Sequence, residues 1–276
     1  MQPLEYTRLA EFEDTYWWHI GRGHIIAEQL ARFLGERTGT QILNVGSGTG
    51  GTVPLLERFG SVLNVDVAEE AVEACRRRGI RNVMKVEGIH LPFHEELFDL
   101  VTALDVLEHI ENDAEALTEW HRLLKPDGKL LLTVPAYQWL WSEHDESLHH
   151  YRRYTASSLH GLLNRVGFRI IKKTYAICFS FPLIVGYRLL RSVLPWRRSC
   201  PSYVIVPRPV NSFLVALLSL EARLLRFLNI PFGTSVLMIA EKAPCPTIAY
   251  EYPTVQAAND DFTLPVTAHR RSTPQM

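Results

Sequence analysis

Residues 42–51 read Ile42-Leu43-Asn44-Val45-Gly46-Ser47-Gly48-Thr49-Gly50-Gly51. A short apolar run enters a glycine-rich turn, and an amphipathic stretch follows. Glycine is needed where backbone turns tightly or where a ligand must approach the main chain. Asp66 closes the next apolar run, 20 residues after Gly46. A carboxylate there can accept hydrogen bonds from both hydroxyls of a ribose. The loop by itself therefore points to a cofactor carrying adenosine. The spacing Gly46, Gly48, Gly51 also fits a dinucleotide fingerprint, and a purely structural turn stays open.

Outward from the loop, short apolar runs alternate with amphipathic stretches. Strands are expected at Gln41–Val45, Val62–Val67, Val83–Glu87, Leu100–Leu104 and Lys129–Val134, with helices at 52–59, 69–78 and 113–124. The strand runs are continuously apolar, as in a parallel sheet covered on both faces by crossover helices. Residues 16–37 read as a further helix, led by Tyr16-Trp17-Trp18. Thr155–Val166 reads as another, with Thr155 as its N-cap and Gly167 at its end. Phe168–Ile177 and Ser235–Lys242 complete the strands.

The 276 residues are 47% apolar and 21% charged, which excludes collagen-like and disordered classes. Cys75, Cys178, Cys200 and Cys245 have no paired spacing, so a disulfide scaffold and a cysteine zinc site are not expected. No apolar leader opens the sequence, and a cytoplasmic location is expected, at the inner face of the membrane if the insertion described below makes contact there. The net charge of −1 conceals an asymmetry: residues 147–220 hold 11 Lys/Arg and no Asp/Glu. An anionic partner or internal balance against the acidic N-terminal half would each account for it.

Further motifs narrow the cofactor. Leu91-Pro92-Phe93, Phe98-Asp99-Leu100-Val101, Asp105-Val106-Leu107-Glu108-His109 and Leu123-Leu124-Lys125-Pro126-Asp127-Gly128-Lys129-Leu130 follow in order. From about Ile42 to Pro135 the sequence resembles the class I S-adenosylmethionine-dependent methyltransferases. Tyr16-Trp17-Trp18, Gly21-Arg22, His144-Asp145-Glu146, His150-Tyr151-Arg152-Arg153-Tyr154, Gly167-Phe168 and Pro231-Phe232-Gly233-Thr234-Ser235 look like a bacterial branch of that superfamily. The resemblance implies an α/β, Rossmann-like sheet of order 3-2-1-4-5-7-6 with strand 7 antiparallel. It implies S-adenosylmethionine held by Asn44, Gly46, Ser47, Gly48, Gly50, Asp66, Val67, Gly88, Ile89 and Asp105. Asn44 stands where an acid is usual, and Ile89 where an Asp often meets adenine.

Ligands of open α/β sheets sit beyond the carboxyl ends of the strands. Two loops fall there, one with Asp105, Glu108 and His109, the other with His144, Asp145, His150, Arg152, Arg153 and Tyr154. His144 or His150 is the expected general base, oriented by Asp145, because imidazole exchanges protons near neutrality. Arg152, Arg153 and Tyr154 are the expected substrate contacts, through guanidinium recognition of a carboxylate or phosphate. A structural pairing of Asp145 with Arg152 or Arg153 stays open. A metal cluster of His144, Asp145 and His150 lacks ligand spacing, and no metal is assigned.

The organisation expected is a helical cap at 1–40, a cofactor domain at 41–177 with 234–243, an insertion at 178–233 and a tail at 244–276. The insertion holds two uncharged apolar runs, Ala176–Tyr187 and Phe213–Leu220, each too short for the roughly 20 residues that span a bilayer. Arg188, Arg191, Arg197, Arg198 and Trp196 lie beside them. The insertion is read either as a plain lid over the site or as a lid resting on an anionic membrane surface. The acceptor is a small or lipid-linked molecule, with nucleic acid disfavoured. Competing functions are a nicotinamide-dependent oxidoreductase and a non-catalytic assembly protein of the same fold.

Overall fold

The computed structural model describes residues 3–35, 39–186 and 206–243. Seven strands form one sheet: β1 (Gln41–Val45), β2 (Ser61–Asp66), β3 (Val83–Lys85), β4 (Phe98–Leu104), β5 (Leu124–Pro135), β6 (Phe168–Ala176) and β7 (Ser235–Lys242). Their order is β3-β2-β1-β4-β5-β7-β6, and β7 runs antiparallel to both β5 and β6. The expected order is thus observed. It departs from the all-parallel 3-2-1-4-5-6 sheet of dinucleotide dehydrogenases, which removes the structural basis for the nicotinamide reading.

Alternate residues of each strand enter different cores, as a period of two requires. Leu43, Val101, Leu130, Leu132 and Met238 join the cluster that includes Leu117 and Trp120 of α5 (Asp113–Leu123) and Leu159 and Leu163 of α7 (Ala156–Arg165). Ile42, Leu100, Leu131, Leu237 and Ile239 face the other way. They meet Ile25, Ile26 and Leu30 of α2 (Trp17–Leu34), and Leu218, Ala222 and Leu225 of α8 (Arg208–Leu225). The inner strands are covered on both faces and carry no polar alternation, whereas edge strand β6 exposes Arg169 and Lys173. Thr155 caps α7 as expected, accepting from Ser158 N at 3.1 Å.

The cap and the insertion are therefore part of the sheet's cover. α8 lies along α2, tied by Trp17 N donating to Asn211 Oδ1 at 2.9 Å and by His24 against Ser219 Oγ at 2.8 Å. Fully buried Glu221 accepts from Cys178 N at 2.8 Å and Phe179 N at 3.0 Å, fastening the end of β6 to α8. This corrects the lid reading for residues 208–225, which serve as framework. Arg188, Arg191, Trp196, Arg197, Arg198 and the expected tail at 244–276 lie outside the described residues. Two short helices were not expected, α1 (Pro3–Phe12) and α6 (Glu143–Ser147). Two further helices are α3 (Val53–Leu56) and α4 (Glu69–Arg77).

Gly21 lets α2 and α8 approach: a Cβ there would overlap the Cβ, Cγ and Cδ1 of Leu218. A Cβ on Gly23 would meet nothing within 4 Å. Gly21→Ala should cost ~1–3 kcal/mol through overpacking, whereas Gly23→Ala should stabilise by ~0.5–1 kcal/mol through helix propensity. Urea denaturation of the two variants checks the pair, and equal effects would refute the close approach.

Candidate active site

The glycine loop leaves β1 at the carboxyl edge. Gly46 N and Ser47 N both donate to Val65 O, at 2.9 and 3.1 Å, so the loop is stitched to β2. Gly46 has φ 69°, and a Cβ there would overlap Val106 at the end of β4. No other residue type combines that φ with that contact. Asp66 Oδ2 accepts from Gly48 N at 2.9 Å and Oδ1 from Ala68 N at 3.0 Å. Burial pushes the Asp66 carboxyl up, against those hydrogen bonds.

The residues at this edge fit an adenosine-bearing cofactor. Asp66 closes β2, and Val67 beside it is 61% exposed despite being apolar. Gly88, at φ 71° after β3, has open space where a Cβ would stand. Half-buried Ile89 follows it on the rim of the core. Asn44 does not join them. It is buried at 1% exposure, its Nδ2 donating to Asn64 Oδ1 at 3.0 Å and its Oδ1 accepting from Thr102 Oγ1 at 2.9 Å. The expected cofactor contact is corrected to a polar tie between β1, β2 and β4, because both ends of the amide are already used.

A feature that sequence reasoning missed covers the loop. Glu13, just past α1, accepts from Thr49 Oγ1 at 2.7 Å and Gly51 N at 3.0 Å, and pairs with Arg78 at 2.5 Å. Leu9 of α1 sits beside Gly48. Thr49 and Gly51 lie 36 and 38 residues from Glu13 in sequence, and Arg78 farther still, beyond any local pattern.

At the reacting end, Asp105 takes φ 57° immediately after β4 and pairs with Arg22 of α2 at 2.7 Å. A non-glycine residue held there costs ~1–3 kcal/mol and marks a site worth testing for function. Nearby, Asp145 is fully buried in α6. Its Oδ1 meets His150 Nδ1 at 2.9 Å, and Arg153 donates to both its oxygens, at 2.7 and 2.9 Å. Ser142 N donates to Oδ2 at 2.8 Å, closing a capping box. Burial alone would raise this carboxyl, but the hydrogen bonds from His150 and Arg153 hold it well below the usual carboxylate range. Of the two expected bases, His150 is the one whose ring Asp145 fixes. The His144 ring stands 6.5 Å from that of His150.

The expected substrate contacts are corrected. Arg153 serves Asp145 and also donates to Ala136 O at 3.1 Å. Arg152 pairs with Asp113 at 2.9 Å and donates to Glu111 O. Tyr154 is buried, its hydroxyl donating to Asp113 Oδ2 at 2.9 Å. These groups lock the two loops together and leave no guanidinium of the pair aimed at a ligand. Glu108 and His109 instead come up against His150, with the His109 and His150 rings 4.6 Å apart. Burial, then the neighbouring His150, pushes the His109 ring down to about 3.

Residues 43–132 match the family model described as a methyltransferase domain. That match covers about a third of the chain and places a methyltransferase domain there. An uncharacterized protein of Methanocaldococcus jannaschii is 29% identical over 157 residues, covering 54% of this chain and 73% of its own. The ubiquinone biosynthesis O-methyltransferase of Pseudomonas aeruginosa is 27% identical over 151 residues, 49% of this chain and 65% of its own. The chain thus spans just under two thirds of that relative's length. Among solved structures the cyclase SpnF superposes with a TM-score of 0.53 at 18% identity, covering 80% of each chain, a likeness of fold alone. A methyltransferase domain implies S-adenosylmethionine as the cofactor. Asp66→Ala should then weaken S-adenosylhomocysteine binding by ~1.5–3 kcal/mol, the range for hydrogen bonds to a charged group. Calorimetry giving unchanged affinity would remove Asp66 from the cofactor site.

Proposed function

We propose that this protein transfers a methyl group from S-adenosylmethionine to a hydroxyl of a small or lipid-linked acceptor, at the carboxyl ends of β4 and β5. The observation that carries the reading is the buried Asp145–His150 pair beside the glycine-loop edge. When bound, the cofactor supplies an electrophilic methyl carbon on sulfonium. Asp66 and the glycine loop position the adenosine end. Asp145 fixes the His150 ring through Nδ1, which sets Nε2 on the acceptor's side of the two loops. Positioning and handling of that oxygen's proton are then the chain's contribution. The name of the Pseudomonas relative supports an oxygen acceptor on an apolar molecule.

An aromatic group near this end favours an acceptor with an apolar part. Tyr137 stacks on Trp139 and Tyr175 with centroids 5.5 and 5.0 Å apart, and Phe181 joins Trp139 and Phe232. Trp139 and Phe232 are 61% and 45% exposed. His150→Ala and Asp145→Asn should lower turnover ~10²–10⁴-fold while leaving S-adenosylhomocysteine affinity unchanged. Methyl-labelled cofactor incubated with a lipid extract provides the assay. Near-normal labelling by both variants would make the pair structural.

The described part of the insertion supports a lipid-linked acceptor further. α8 buries one face on α2, yet Phe213, Leu220 and Leu224, with Phe227 and Leu228 just beyond, are exposed, and Arg208 and Arg223 are exposed near them. A helix apolar on its outer face with arginines alongside suits the interface of an anionic bilayer. No helix among the described residues is long and apolar enough to cross one. Co-sedimentation should occur with phosphatidylglycerol vesicles, fall in high salt, and drop for Phe213→Ser with Phe227→Ser. Equal or no binding to neutral and anionic vesicles would assign that face to another cover.

A further inference from the structure

The loops after β4 and β5 bring Glu108, His109 and His150 together, with one carboxylate oxygen and two ring nitrogens all within 4.8 Å of one another. We propose that these three residues bind one divalent transition-metal ion, of the manganese, iron, cobalt or zinc kind. The inference rests on the acceptor-site reading above and names what that site holds.

Three observations carry it. Glu108 is 1% exposed, and its Oε2 has no hydrogen-bond partner. An ionised carboxylate buried this way is costly unless a cation meets it. The nearby guanidinium groups are engaged elsewhere, Arg22 with Asp105 and Arg153 with Asp145.

The second observation concerns the rings. Metal-bound histidines usually donate their other nitrogen to a carboxylate or a carbonyl, which fixes ring and tautomer. Both rings here have such a partner: His150 Nδ1 meets Asp145 Oδ1 at 2.9 Å, and a His109 nitrogen donates to the Leu148 carbonyl. One nitrogen of each ring therefore remains for the cluster. The third observation is rigidity. Tyr151 N donates to Glu108 O at 2.8 Å and His150 N to Asp145 O at 2.9 Å, so the two loops move as one.

The donor set selects the ion. Two imidazoles and one carboxylate suit borderline transition metals, whereas magnesium and calcium prefer oxygen throughout. Three protein ligands leave positions open for a substrate oxygen, as in catalytic sites. Bonds of about 2.0–2.2 Å place neighbouring ligands a little over 3 Å apart, so binding would draw the three side chains inward. Partly exposed His109 marks the side from which an ion enters. The cluster differs from the one weighed in the sequence, because Asp145 orients His150 and takes no place among the ligands.

Cobalt titration of the chelator-treated full chain tests this without any acceptor. One saturable equivalent with visible d–d absorption is expected. Glu108→Gln and His109→Ala should weaken it by ~100-fold, and Asp145→Asn by ~10-fold, with His149→Asn unchanged. Should a variant fail to fold, manganese added to the wild-type chain must broaden the ring-proton resonances of His109 and His150 before that of His94. No saturable cobalt site in the wild type, or broadening without that preference, overturns the proposal. Cobalt binding with no S-adenosylhomocysteine affinity would sink the cofactor reading alone, and the converse the metal alone.

Discussion

A sheet whose strands are apolar on both faces must be covered twice, and the rest of this molecule follows from that constraint. α5 and α7 cover one face in the manner of crossover helices. The other face is closed by α2, from before the sheet, and by α8, from between its last two strands. Removing either would expose Ile42, Leu100 and Leu131 to water, at roughly 1.5–3 kcal/mol for each large side chain. The cap and the insertion are thereby bound to the fold's stability. Because α2 runs past the carboxyl edge, its Arg22 also reaches Asp105, so the packing solution delivers a charged group to the reacting end.

What could be read in the sequence was what local periodicity encodes. β1 and β7 have the expected bounds, the other strands differ mainly at their ends, and the Thr155 cap forms as expected. The glycine loop and Asp66 were legible because backbone sterics restrict which residues can stand there. Side-chain partnerships were not. Arg152 looked like a substrate clamp until Asp113, 39 residues earlier, was seen to hold it. Asn44 looked like a cofactor contact until Asn64 and Thr102 flanked it on adjacent strands. Such pairings depend on strand register, which no short-range pattern reports.

The carboxyl edge also concentrates backbone strain. Asp105, Tyr137 and His149 all take φ between 56° and 58°, and each follows β4 or β5 or closes the loop after them. Folding tolerates this because the flanking strands and the Asp145 network over-determine the loops. The fold does not by itself choose the reaction, since a cyclase shares it. Chemistry is set by what these strained loops present.

The charges at that edge form a nearly closed set. Arg22 answers Asp105, Arg153 answers Asp145, and Arg152 answers Asp113. Glu108 is the buried acid that this pairing leaves without a cation. Its neighbours are the imidazoles of His109 and His150, each with one nitrogen turned away to another partner. A carboxylate beside two rings whose donors point elsewhere gains little from them, because the nitrogens left toward it are acceptors. Either a proton or a metal cation completes the balance. Two histidines already braced through their far nitrogens turn their remaining lone pairs to the same point as Oε2, and a metal cation there meets all three donor atoms at once, whereas a proton can join only two of them.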